Sequence, residues 1–133
     1  MHKLACPKCH KPIVQVNNSY KCENNHCYDI AKSKYLNLLL NPDKATNNPG
    51  DSKESLIARK AYLTKGYYDI TLENVINCIK KYRNNDSLDI LDLGCGEGYY
   101  TKSLKEAFIK DNIYGLDISK EAINMATKYT KEV

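Results

Sequence analysis

The sequence predicts an α/β chain in two parts: a small metal-stapled module at the front, then the opening of a helix-covered parallel sheet. Two observations predict this. Cys6, Cys9, Cys22 and His26 fall in two short knuckles separated by twelve residues. Further on, an apolar run at Leu88, Ile90, Leu91 and Leu93 breaks into three alternating glycines, Gly94, Gly96 and Gly98, and resumes as a helical pattern. At 133 residues the chain has room for one domain, or a small module plus part of a larger one. The reading divides it into a metal module over 1–40, a linker and helical lead-in over 41–86, and the first βαβα part of the second domain over 87–133.

Three thiolates and one imidazole in tetrahedral array make a closed structural zinc site with no open position for chemistry. Ile13, Val14, Val16 and Tyr20 alternate as a hairpin would, which brings the knuckles together. So few large apolar side chains cannot hold forty residues folded, and the metal must supply much of the stability. Cys27 directly follows His26 and competes with it as fourth ligand; His26 is preferred. His2 and His10 are read as solvated. Two disulfides are the alternative, disfavoured in a reducing compartment. The start has no apolar signal core and no run is long enough to span a membrane, so the chain is expected in the cytoplasm.

The run Tyr35 to Leu40 is expected to dock the module onto the rest, and Asn41 to Gly50 to be a loop. Asp51 to Glu54 reads as a capping box with Asp51 as cap, opening a helix that ends near Gly66. A second helix is expected near Thr71 to Tyr82, with Leu72, Val75, Ile76 and Ile79 on one face. The apolar strand from Ile90 reads as covered on both sides. A helix follows from about Glu97, a second strand from Asn112 to Asp117, and a last helix from Lys120 through Tyr129, capped by Ser119.

Glycines at a strand-to-helix turn let a ligand approach the main chain. Asp117, nineteen residues past Gly98, stands where such folds hold the two hydroxyls of a ribose. The choice of nucleoside cofactor follows from charge. Asp92 precedes the loop and Glu97 lies within it; a pyrophosphate would be repelled, whereas the ammonium and sulfonium of S-adenosylmethionine would be attracted. The loop Asp92, Gly94, Cys95, Gly96, Glu97 and Gly98, with Asp117, therefore predicts an S-adenosyl-L-methionine site on a Rossmann-like sheet.

Net charge is +4, unevenly distributed: residues 1–86 hold six more Lys and Arg than Asp and Glu, and the remainder two fewer. A basic front suits a polyanion. Lys3, Lys8, Lys11, Lys21, Lys32 and Lys34, with Tyr20, Tyr28 and Tyr35 available for stacking, make RNA the expected partner. Solvated lysines and packed tyrosines are the plainer alternative.

Three features in this order and spacing resemble the bacterial 23S ribosomal RNA (guanine-N1)-methyltransferases. They are Cys6-x2-Cys9-x12-Cys22-x3-His26, the segment from Asp29 to Leu39, and the run from Asp92 to Thr101; Pro49 to Ser52, Ala58, Arg59, Gly66 and Tyr68 agree as well. The resemblance implies a zinc-ribbon module (Cys6, Cys9, Cys22 and His26 on zinc) that helps recognise an rRNA hairpin. It also implies a methyltransferase domain with cofactor contacts at Tyr68, Gly96 and Glu97. Because chains of that family are about twice as long, it implies an amino-terminal, truncated piece that binds the cofactor weakly and methylates nothing alone. No residue is assigned as the catalytic base, and a homodimer stays open. A methyltransferase for another substrate, or a non-catalytic zinc-ribbon RNA-binding module, are the rival readings.

Overall fold

The computed structural model describes residues 4–40 and 49–130. Expectations for His2, Lys3 and residues 41–48 lie outside them. The chain divides into two compact units, Met1–Pro49 and Gly50–Val133.

The first unit is a three-stranded antiparallel sheet of β1 (Ile13–Val16), β2 (Ser19–Cys22) and β3 (Cys27–Asp29). Ile13 pairs with Cys22 and Val16 with Ser19; Lys21 pairs with Cys27 on the other side. The hairpin reading holds for β1 and β2, but β3 was not foreseen, because three residues are too few to show an alternating pattern. The core is small: Cys6, Ile13, Cys22 and Tyr28. Leu36, Leu38 and Leu40 pack against that same core, so the Tyr35–Leu40 run completes the module itself.

The second unit opens with α1 (Lys53–Leu63) and α2 (Asp69–Tyr82), followed by β4 (Asp89–Leu93), α3 (Tyr99–Ala107), β5 (Asn112–Leu116) and α4 (Lys120–Thr130). The cap of α1 is Ser52, whose hydroxyl accepts from Ser55 N–H at 3.2 Å, and not Asp51, which pairs with Arg59 at 2.6 Å. Leu56 and Leu63 bury the inner stripe of α1. Strands β4 and β5 run parallel in register from Asp89 with Asn112 to Leu93 with Leu116. Helix α3 covers one face of this pair, where Asp92 and Gly115 meet Thr101, and α4 packs on α3. The opposite face is open, with Leu93 75% exposed and Leu91 59%. The expectation of a strand covered on both sides is therefore corrected: an unbroken apolar run reports what a strand can bury, not which of its faces has a partner.

Arg83 and Asp111 fasten the start of the sheet. Arg83 Nη1 and Nη2 donate to Asp111 Oδ2 and Oδ1 at 2.8 and 2.9 Å, and Asp111 Oδ1 also accepts from Leu88 N–H at 2.7 Å. Arg83 Nε donates to the Asn85 carbonyl at 2.9 Å. The bonds from Arg83 and Leu88 N–H hold the Asp111 carboxyl below its ordinary value. A depressed folded-state pKa stabilises the protein above the unfolded carboxylate value of about 3.9, and the effect is lost as pH falls through the folded value. Asp111→Asn is thus expected to flatten the acid limb of a plot of urea midpoint against pH, below pH of about 4. An unchanged acid limb would refute this role.

Candidate zinc and cofactor sites

In the first unit each knuckle is closed by the backbone. Cys6 N–H donates to the Lys11 carbonyl and His10 N–H to the Cys6 carbonyl, both at 2.8 Å. Cys22 N–H donates to the His26 carbonyl at 3.1 Å and Asn25 N–H to the Cys22 carbonyl at 3.0 Å. His10 and Asn25 take left-handed conformations at these turns, φ 59° and 60°. His10 thus serves the turn through its main chain.

The result is one cluster: a ligand atom of each of Cys6, Cys9, Cys22 and His26 lies within 4.8 Å of the others. Cys9 Sγ and Cys22 Sγ are 3.7 Å apart, while His26 Nδ1 is 3.3 Å from Cys6 Sγ and 3.5 Å from Cys22 Sγ. Tetrahedral zinc bonded at the usual lengths separates two sulfurs by about 3.8 Å and a sulfur from a nitrogen by about 3.6 Å. The donor set therefore fits zinc in both chemistry and spacing. Cys27 is exposed and outside the cluster. No pair of sulfurs approaches disulfide length, and none of the six cysteines is in a disulfide.

Tyr28, expected as a stacking surface, is buried, and its hydroxyl lies 3.0 Å from Cys6 Sγ. Burial, reinforced by that bond, pushes the phenol up to about 12. Burial would also raise the Cys6 thiol, but bonds from the Tyr28 hydroxyl and from the Cys9 and Lys8 main chain outweigh it and bring the thiol down to about 5. A hydroxyl that donates to a ligand thiolate orients it and offsets its charge. Tyr28→Phe is expected to weaken zinc binding by about 10- to 100-fold in a competition titration with a colorimetric chelator. Unchanged affinity would reduce Tyr28 to packing. Sequence reasoning missed this role because a tyrosine's spacing from a cysteine carries no signal for a cross-strand bond.

In the second unit the glycine loop joins β4 to α3. Gly94, Gly96 and Gly98 have φ of 80°, 56° and 92°. A side chain begun at Gly94 would meet nothing within 4 Å, and one begun at Gly96 would meet only Arg59 Nη1, at 3.6 Å. That bare space is a cradle of the kind a close-lying ligand needs. Four of the loop's amides, however, donate inside the fold. Gly94 and Cys95 N–H reach the Leu116 carbonyl at 2.8 and 3.0 Å, Gly96 N–H reaches Asp117 Oδ2 at 2.9 Å, and Gly98 N–H reaches the Cys95 carbonyl at 3.0 Å. A phosphate cradle works by aiming free amides at the anion. Those four amides are taken, while α3 begins at Tyr99 with no side chain capping its first turn, so the choice of a phosphate-free cofactor rests on the charge of Asp92 and Glu97.

The carboxylates are held in place. Asp92 Oδ2 accepts from the Thr101 hydroxyl at 2.6 Å, and Asp117 Oδ1 accepts from Ser119 N–H at 2.8 Å. Each Asp117 oxygen has a second lone pair free for a hydroxyl. Glu97 is only 2% exposed. Cys95 turns inward, where a side chain at Gly115 would strike its Sγ at 3.0 Å. Burial, with Asp92 and Asp117 adding, pushes that thiol up to about 11, so it stays protonated and inert. Tyr68 precedes α2, half-exposed, its ring edge-on to Tyr62 with centroids 6.0 Å apart. Burial raises the Tyr100 hydroxyl, and the charges of Tyr68 and Asp92 raise it further.

Comparison with known proteins gives the class first. Residues 4–46 match the zinc-ribbon family described as RlmA, N-terminal, and residues 84–132 match a methyltransferase domain. The chain is a zinc ribbon followed by the opening of a methyltransferase domain, with S-adenosylmethionine as the donor such a domain uses and zinc as the metal of its Cys3His cluster. Its particular likeness is to the 23S rRNA guanine-N1 methyltransferases, as the sequence resemblance implied. It is 30% identical over 126 residues to the 23S rRNA (guanine(748)-N(1))-methyltransferase of Streptomyces fradiae, covering 94% of this chain and 44% of the relative. It is 26% identical over 142 residues to a provisionally named 23S rRNA (guanine-N(1)-)-methyltransferase of Micromonospora griseorubida, covering 94% and 47%. A 47-residue stretch is 40% identical to the malonyl-[acyl-carrier protein] O-methyltransferase of Bacillus anthracis, covering 35% and 18%. The chain spans a little under half the length of the two rRNA relatives. Among the described residues no helix is long and apolar enough to cross a membrane.

Proposed function

We propose that this chain is the zinc-bearing, donor-binding part of a cytoplasmic enzyme that methylates N1 of a guanine in a 23S rRNA hairpin loop. The observation that carries the proposal is the pairing, in one chain, of a Cys3His cluster at zinc spacing with a carboxylate-lined glycine loop. Cys6, Cys9, Cys22 and His26 hold the zinc. Tyr68, Asp92, Glu97, Asp117 and the backbone of Gly94, Cys95, Gly96 and Gly98 hold the donor, and S-adenosylmethionine supplies an electrophilic methyl on sulfonium when bound. Asp92, steadied by Thr101, and the buried Glu97 favour the cationic end; Asp117 keeps lone pairs for the ribose. The protein's main contribution to transfer is alignment of the guanine nitrogen with the methyl. The target edge is hidden in a duplex, so an unpaired or extruded guanine is required. A homodimer rests on no residue of the chain and forms no part of the proposal.

The plain test is methyl transfer from radiolabelled S-adenosylmethionine to 23S rRNA transcript. It is run with the 133 residues and with the longest open reading frame containing them. Incorporation at a guanine N1 by the longer product, and none by the 133 residues, is expected. Transfer to protein or a small molecule with RNA left unlabelled would replace the rRNA substrate. Cofactor binding without any transfer would favour the non-catalytic reading.

A further inference from the structure

Arg59 lies on the stripe of α1 that faces the body of the second unit. Positions 56, 59, 60 and 63 share one side of a helix, and Leu56 and Leu63 on that side are buried. The neighbouring Lys60 is likewise turned in, its ammonium 4.0 Å from the centroid of the Tyr129 ring. Arg59 itself keeps half of its side chain accessible, so what sets it apart is where its guanidinium reaches. Its guanidinium is divided between two directions. Nη2 pairs with Asp51 Oδ2 at 2.6 Å, while Nη1 is the one atom within 4 Å of where a Gly96 side chain would begin.

The donor assigned to this loop has an amino-acid end with three charges: ammonium, sulfonium and carboxylate. Asp92 and Glu97 answer the two cations, but together with Asp117 on the ribose side they oppose the third group, since a ligand carboxylate brought here enters a field of three others. A cation aimed at the bare side of Gly96 removes that conflict. A guanidinium has five donors in a planar fork, so Asp51 can fix its orientation through one nitrogen while another remains free to bond a second carboxylate. The geometry points to Arg59 as the residue that binds the α-carboxylate of the methyl donor, with Asp51 as its positioning partner. This inference rests on the S-adenosylmethionine reading of the loop.

The test is a nitrogen-15 NMR titration of the chain with S-adenosylmethionine and with its decarboxylated analogue, a method that follows weak binding. Wild-type protein is expected to bind the intact donor about ten- to a hundredfold more tightly than the analogue, the effect of one charge-assisted pair of bonds. Arg59→Ala and Arg59→Gln are expected to lower affinity for the intact donor by a similar factor and to leave the analogue's affinity unchanged. Equal binding of the two ligands by wild-type protein would overturn the inference without needing a variant. So would a variant that weakens both ligands alike. If neither ligand binds the wild-type chain, the cofactor reading itself falls, and the role of Arg59 with it.

Discussion

Removing zinc is expected to unfold the Met1–Pro49 unit and leave Gly50–Val133 folded. The first unit's core contains four buried side chains, and two of them, Cys6 and Cys22, belong to the metal cluster. What remains fully buried is Ile13 and Tyr28, whose burial stabilises by roughly 3–6 kcal/mol together, and the partly buried Leu36, Leu38 and Leu40 add less than a full side chain each. Structural zinc contributes about 10–16 kcal/mol in comparable small modules. The metal therefore dominates, and without it three short strands and two tight turns have too little apolar area to stay ordered. The measurement is the dispersion of backbone amide resonances from β1, β2 and β3 before and after chelation. Cys22→Ser is expected to reproduce the chelated spectrum, and Cys27→Ser, at an exposed thiol outside the cluster, to leave it untouched. Dispersed β1–β3 resonances that persist in excess chelator would sink the argument.

The contrast between Cys22 and Cys27 also marks how far the sequence could be read. Spacing alone found the four-residue cluster, because a knuckle is a local turn and its ligands lie within a few residues of one another. Spacing does not separate His26 from the adjacent Cys27, and the choice is decided in space: β3 begins at Cys27 and carries its thiol away from the cluster. The glycine loop and its helix were legible for the same reason, being a contiguous strand, turn and helix. What escaped reading was set by pairings at long range. Arg83 and Asp111 are 28 residues apart, and Tyr28 and Cys6 are 22 apart. Neither pair carries a periodicity or motif that could announce it. The inner face of α1 is an intermediate case. Its Leu56, Arg59, Lys60 and Leu63 stripe is visible as a helical repeat, but only the position of Gly96 gives Arg59 something to address.

Gly98 and Gly94 should respond to the same substitution in opposite ways. Both have left-handed backbones, φ 92° and 80°, so alanine at either position adds backbone strain of about 1–2 kcal/mol. Their surroundings differ. A side chain at Gly98 would sit 3.0 Å from both Cα and Cβ of Ala126, pressing α3 and α4 apart where main chain cannot yield. Overpacking of that kind adds about 1–3 kcal/mol. At Gly94 nothing lies within 4 Å, so the added methyl costs no contact inside the protein and instead fills the cradle. Gly98→Ala is thus expected to lower the urea midpoint of the second unit clearly more than Gly94→Ala does. Gly94→Ala, with the smaller loss of stability, is expected to lower affinity for S-adenosylmethionine by at least about tenfold. Chemical denaturation and ligand titration on the two variants separate the effects. Should Gly94→Ala bind the donor as tightly as the unaltered chain, the open side of the loop is not where the ligand lies. Should the two variants lose stability equally, the close approach of α3 to α4 at Ala126 is not what requires glycine at position 98.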